Sequence, residues 1–195
     1  MGLSLLRARM PVTVAVASLT WLAPLAASAR CPDRDPGSPA CEPIVSFLMP
    51  SVAGAAFFPR NAGGPYLGGG VELGLVSWSS NNDAFGPSQG RVRASFSYLA
   101  GPMHREVALY RFGGLVSFEG NAGRRFLIPY FSAALGGIYD TVLGGHPAAD
   151  ASLGLYLVYL RHFVLDAEGG AVLPFTHLDT LLGARAQLTA SFALW

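Results

Sequence analysis

Eight charged residues stand at alternate positions within otherwise apolar, glycine-rich stretches: Glu72, Arg91, Arg93, Arg111, Glu119, Asp166, Glu168 and Arg185. Acids and arginines gathered on one side of a sheet have two uses. They can neutralise one another as a buried network with Ser, Thr and Tyr hydroxyls, or they can line a path for ions. Acyl-transfer chemistry needs more, namely a nucleophile, a base and an orienting group within reach of one another. The histidines are His104, His146, His162 and His177, all in or beside turn clusters. His177 with Asp179 has the composition of a base and its orienter, but no nucleophile accompanies them. The expectation is a chain without catalytic residues, cofactor or metal. Gly68-Gly69-Gly70 lacks the Lys and Ser/Thr of a phosphate loop, and no helical pattern follows it.

The elements that must position these charges are strands. From Leu182 to Leu194 every second residue is Leu or Ala, with Phe192 the one aromatic, while Gly183, Arg185, Gln187, Thr189, Ser191 and Ala193 fall between. That is alternation with period two, held for the ~9–11 residues that a tilted strand needs to cross a bilayer. The same pattern recurs over Ile44–Phe57, Tyr66–Ser79, Arg91–Ala100, Glu106–Phe118, Phe126–Asp140, Ala151–Leu160 and Phe163–Leu173. Pro50 inside the first stretch predicts a bulge or a strand end. Val107 and Leu109 interrupt the polar face of the fourth, and Tyr159 is expected beside Leu153, Leu155 and Leu157. Asn81 to Gly90 and Asp140 to Asp150 read as connections. Eight long alternating strands joined by Gly, Pro and Asn turns predict an all-β, antiparallel, up-and-down barrel that closes on itself and leaves no edge.

The N-terminus is set apart from this pattern. Arg7 and Arg9 precede an uncharged apolar run, and Ala27-Ser28-Ala29 has the form of a cleavage site, so residues 1–29 read as a signal peptide, the alternative being an uncleaved anchor. Residues 30–43 form a Cys- and Pro-rich lead-in, and residues 44–195 one barrel domain. Cys31 and Cys41 bracket the lead-in; after export they either form a disulfide or remain two free thiols. Composition supports an apolar environment: 51% of the 195 residues are hydrophobic and 13% charged, against about 25% charged in a soluble domain. Beyond the signal peptide, no uninterrupted run reaches the ~20 apolar residues of a spanning helix. The net charge of +1 gives no indication of a nucleic-acid partner.

Ile128-Pro129-Tyr130-Phe131 running into Ala134-Leu135-Gly136-Gly137, with the closing Gly183-Ala184-Arg185 strand, resembles the small eight-stranded outer-membrane barrels of the OmpA-like, OmpX-like and opacity-protein group. The resemblance covers Ile44 to Trp195. It implies a place in the outer membrane of a Gram-negative-type bacterium, with outer-membrane lipid and the barrel-assembly machinery as partners. It names no extracellular or periplasmic partner. The final aromatic departs from the pattern, since Leu188, Phe192 and Leu194 are out of phase with Trp195. The His-x-Ser spacing of the lipid A deacylase barrels is not present either.

In such a barrel the eight charges must face inward or lie near the membrane surfaces, because a mid-plane Arg facing lipid costs ~2–4 kcal/mol. Eight strands enclose an interior just wide enough for side chains to fill. The expected function is therefore a non-catalytic, structural or interaction barrel whose lumen is plugged by Glu72, Arg93, Arg111, Glu119, Asp166, Glu168 and Arg185. A narrow gated pore and a lipid-modifying enzyme are the alternatives. A soluble, lipocalin-type barrel would require every strand to be reversed, with the apolar face inside. Phe57, Phe58, Tyr66, Trp78, Phe85, Tyr139, Tyr159, Phe175 and Trp195, near strand ends, are expected to form interfacial girdles.

Overall fold

The computed structural model describes residues 48–61, 63–82, 86–118, 125–160 and 163–192. The signal peptide, the lead-in with Cys31 and Cys41, Glu119, His162 and Trp195 lie outside them. Eight strands follow one another: β1 (Met49–Pro59), β2 (Tyr66–Asn82), β3 (Gly86–Ala100), β4 (Glu106–Phe118), β5 (Phe126–Asp140), β6 (Gly144–Tyr159), β7 (Phe163–Pro174) and β8 (Gly183–Phe192). Each pairs antiparallel with its sequence neighbours, and β1 pairs with β8 from Ser51↔Ser191 to Pro59↔Gly183, which closes the barrel. One end carries the β1–β2, β3–β4, β5–β6 and β7–β8 connections and is called the loop end here. The other, the terminal end, holds the start of β1 and the finish of β8.

Prolines mark where the ladders stop. Pro50 lies one step before the β1–β8 ladder, Pro87 one step before the β3–β4 ladder, and Pro129 one step beyond the β4–β5 ladder. Pro147 likewise precedes the β6–β7 ladder, which starts at Ala148. A residue without an N–H is tolerated where one neighbouring strand is missing. Pro50 is thus accommodated near the start of β1 with no bulge in that strand. The stagger of the ladders is the tilt that a closed barrel requires.

Several expected boundaries move. Residues 79–82 and 86–90 are paired strand, not a polar connection: Trp78↔Gly90 through Asn82↔Gly86 continue the β2–β3 ladder. The stretch from Asp140 to Asp150 is also mostly strand. Only Thr141–Leu143 turns, and Gly144 to Asp150 pair with β5 from Asp140 back to Ala134. β1 runs on to Pro59, two residues past its expected end. Bulges at Leu75 in β2 and Leu157 in β6 shift the register by one. A one-residue slip exchanges the two faces. This turns Tyr159 away from the outer face, where the alternation had placed it with Leu153, and packs it against the interior.

The outer face is apolar on every strand: Val52 and Phe58, Leu67 and Val71, Phe96, Phe112, Phe131 and Leu135, Leu153, Leu173, and Leu188 with Phe192 are all exposed. Leu153, in the middle of β6, is 71% exposed. The polar residues of the same strands point inward, so the faces are those of a membrane barrel and the reversed, lipocalin-type arrangement is ruled out. Phe58, Tyr139 and Phe175 are exposed near strand ends, as an interfacial girdle requires. Phe57 and Tyr66 are not girdle residues. Their rings lie 6.4 Å apart inside the barrel and are fully buried.

Candidate functional site: a charged belt between two apolar layers

The interior is filled in three layers. At the loop end Phe57, Tyr66, Leu99, Val107, Leu109, Ile138, Val172 and Leu181 pack as one apolar cluster. Val107 and Leu109, which blurred the polar face of β4, belong to it. Leu181 comes from the β7–β8 connection, at the end of the one-turn helix α1 (Leu178–Leu181), and is completely buried. That connection is fastened over the lumen by Arg60 N–H donating to the Leu182 carbonyl at 2.8 Å and by Asn61 Nδ2 donating to the Asp179 carbonyl at 2.5 Å. At the terminal end Met49, Leu115, Ile128, Tyr130, Tyr156 and Val164 form the second cluster.

Between them lies a belt of four arginines and four carboxylates: Arg91, Arg93, Arg111 and Arg185 with Glu72, Asp150, Asp166 and Glu168, every one buried. Glu168 is the hub. Its Oε2 receives Arg93 Nη2 at 2.5 Å and the Tyr130 hydroxyl at 3.0 Å. Its Oε1 receives Arg185 Nη2, Ser152 Oγ at 2.6 Å and Ser132 Oγ at 3.2 Å, with Arg111 Nη1 at 3.7 Å. Asp150 binds Arg185 in bidentate fashion, at 2.5 Å from Nε and 2.7 Å from Nη2. Arg111 lies 3.8 Å from Asp150 and donates to Gln187 Oε1 at 2.6 Å. Glu72 stands 3.4 Å from Arg93, and Asp166 accepts from the Tyr130 hydroxyl at 2.7 Å. A carboxylate inside a protein is costly unless its lone pairs are filled, and Glu168 fills both oxygens several times over.

Glycines make room for this belt. Arg93 stands across from Gly74 and Gly113, Arg111 from Gly136, Tyr130 from Gly154, and Arg185 from Gly170. A Cβ on Gly154 would strike the Tyr130 ring, and one on Gly136 the Tyr110 carbonyl. Close approach requires glycine at both places.

Six of the seven charges expected in the lumen, Glu72, Arg93, Arg111, Asp166, Glu168 and Arg185, are brought into one network. The seventh, Glu119, lies outside the described residues. Asp150 was missed because Gly144-Gly145-His146-Pro147 reads as a turn. Its alternation with Ala148 and Ser152 on one side and Ala149 and Ala151 on the other was the available signal. Asp140 was also unforeseen: at the loop end it accepts both Arg105 Nη2 contacts at 3.0 Å and the backbone N–H of Val142 at 2.8 Å. The hydrogen bond to Asp140 holds the Arg105 guanidinium above its ordinary pKa.

Two of the described histidines, His146 and His177, meet each other at the loop end. His177 packs edge-on against His146, ring centroids 4.7 Å apart, and His146 Nδ1 meets Thr176 Oγ1 at 2.7 Å. Asp179 offers its backbone carbonyl to Asn61, and no bond from its side chain to His177 forms. Among the described residues no three His, Cys, Asp or Glu converge as metal ligands.

No protein-family model matches the sequence, and no curated protein matches it. Solved structures do. The chain superposes on Neisserial surface protein A with a TM-score of 0.51 at 14% identity, covering 78% of this chain and 99% of that one. It superposes on the N-terminal β-barrel domain of OprF from Pseudomonas aeruginosa with a TM-score of 0.50 at 15% identity, covering 75% of this chain and 97% of that one. At such identities the likeness is one of architecture. The chain has the fold of the small eight-stranded outer-membrane barrels.

Proposed function

We propose that the protein is a non-catalytic outer-membrane barrel with a closed lumen, serving a structural or interaction role at the membrane. The observation that carries this reading is the filled interior: a belt of four arginines and four acidic residues held between two apolar layers. An ion crossing would have to separate Glu168 from three guanidiniums and displace both Leu181 and the Tyr130–Tyr156 pair, whose rings lie 4.8 Å apart. The apolar band on all eight strands supports burial in lipid, because a soluble barrel would not leave so large a patch in water. The strand edges support it as well, since closure from β1 to β8 leaves none unpaired in the band. Outer-membrane lipid is then the solvent of the outer face, and barrel-assembly machinery inserts the chain.

The test has two arms. Outer-membrane fractionation followed by gels of unboiled and boiled samples should place the protein in that membrane with a heat-dependent mobility shift. Recovery as soluble periplasmic protein without a shift would end the membrane reading. Purified protein in planar bilayers should give no conductance steps. Steps that change in Arg111→Ala would instead establish the narrow pore. An altered lipid A mass profile in cells carrying the protein would establish the lipid-modifying enzyme.

A further inference from the structure

Three of the four belt arginines have a carboxylate within 4 Å; Arg91 has none among the described residues. Its side chain nevertheless lies inside the barrel, with the residue 5% exposed and the Nε atom buried without a hydrogen-bond partner. The nearby acids are turned elsewhere: Glu72 to Arg93 at 3.4 Å and Asp166 to the Tyr130 hydroxyl at 2.7 Å. What the guanidinium does touch is the face of Tyr156, 5.6 Å from the ring centroid. A buried guanidinium that is neither paired nor fully hydrogen-bonded is costly.

Its position in the fold indicates what completes it. β3 runs from the terminal end toward the loop end, so Arg91 precedes Arg93 and is the belt arginine nearest the terminal end. Gln89 is the next residue on the same face. The Tyr159 hydroxyl donates to Gln89 Oε1 at 2.5 Å, and with its oxygen so engaged the Gln89 side chain offers its amide N–H groups as donors on the face it shares with Arg91. Leu115, Met49, Ile128 and Val164 supply apolar walls, and a low-dielectric wall strengthens attraction between a guanidinium and an anion. The planar fork of Arg matches the oxygens of carboxylate or phosphate.

We propose that the terminal mouth of the lumen is a binding site for a small oxyanion, held by the Arg91 guanidinium with the Gln89 amide beside it. The ligand enters from the end that holds the start of β1 and the finish of β8 and seats against Tyr156 without disturbing the Glu168 hub. The site does not depend on where the barrel resides or on whether the lumen conducts.

The test uses the full mature chain, labelled with nitrogen-15 and folded in detergent micelles. The arginine Nε–H resonances are followed while inorganic phosphate, and separately acetate, is added at constant ionic strength. One resonance, the one missing from Arg91→Gln, should shift saturably, and Arg91→Gln should weaken binding by about tenfold or more. If Arg91→Gln does not reach the folded, heat-modifiable form, Gln89→Ala serves as the second variant and should weaken phosphate several-fold with the Arg91 resonance retained. No saturable shift with either anion in the unmodified chain would overturn the proposal, as would full affinity in Arg91→Gln. Glu119→Gln should leave affinity unchanged. A tenfold gain in that variant would mean that the carboxylate of Glu119 already occupies the guanidinium, and the oxyanion site would be abandoned.

Discussion

Replacing Glu168 with Gln exchanges one carboxylate oxygen for an NH2 group and removes one unit of negative charge, at the point where the belt is most interconnected. The carboxylate is fully buried and contacts Arg93, Arg111 and Arg185, with Tyr130, Ser132 and Ser152 completing its shell. After the change, four guanidiniums face three carboxylates. The new amide also presents N–H donors to arginines that can only donate. Removing one partner of a buried ion pair costs about 3–5 kcal/mol, because the remaining charge is left uncompensated. With a urea dependence of ~1–3 kcal/mol per molar, the unfolding midpoint should fall by roughly 1–5 M. The assay is urea titration of the folded protein in lipid vesicles, read from the fraction that migrates as the compact form on unboiled gels. A second substitution sharpens it. Arg93→Gln in the Glu168→Gln background removes one excess cation and should cost less than Arg93→Gln alone, with a coupling of about 1–3 kcal/mol between neighbours. An unchanged midpoint in Glu168→Gln, or strict additivity in the double variant, would refute the hub as the element that holds the lumen together.

Other substitutions probe the layers separately. Leu181→Ala should cost about 2–5 kcal/mol by opening a cavity in the loop-end cluster, while bilayer conductance remains absent because the charged belt is untouched; loss of closure would show that α1 is the only seal. Gly154→Val would drive a branched side chain into the Tyr130 ring, and its unfolding midpoint should drop by at least the ~1–3 kcal/mol of an overpacked core. Leu153→Arg places a charge in the outer apolar band and should destabilise the barrel in vesicles by ~2–4 kcal/mol. An Arg tolerated there at no cost would mean that Leu153 meets water. The same gel-shift titration reads all three.

Alternation determined which way most side chains point, because a strand's two faces follow from backbone pleating alone. Glu72, Arg93, Arg111, Asp166, Glu168 and Arg185 could therefore be assigned to one face before any partner was known. The number of strands was legible for the same reason, as was closure, since an apolar band cannot keep an unpaired edge in lipid. Pro50 was legible as a strand irregularity, but its meaning was not. Only the stagger of the ladders shows that Pro50, Pro87, Pro129 and Pro147 each stand just outside a pairing. Turn-forming residues misled at Gly144-Gly145-His146-Pro147, where β5 supplies a partner strand that local propensity does not see, and Asp150 was hidden with it.

Tertiary structure decided the rest. The bulge at Leu157 reversed Tyr159, because one extra residue exchanges the faces of everything beyond it. Curvature brought Glu168 of β7 to Arg93 of β3 and Arg111 of β4, contacts that no pattern within a strand specifies. The same closure left Arg91 with an aromatic face and no carboxylate among the described residues. The sequence by itself determined the sides of the wall and their chemistry. Pairing across the lumen belonged to the tilt and register of the closed barrel, since only these set which inward residues meet at its axis.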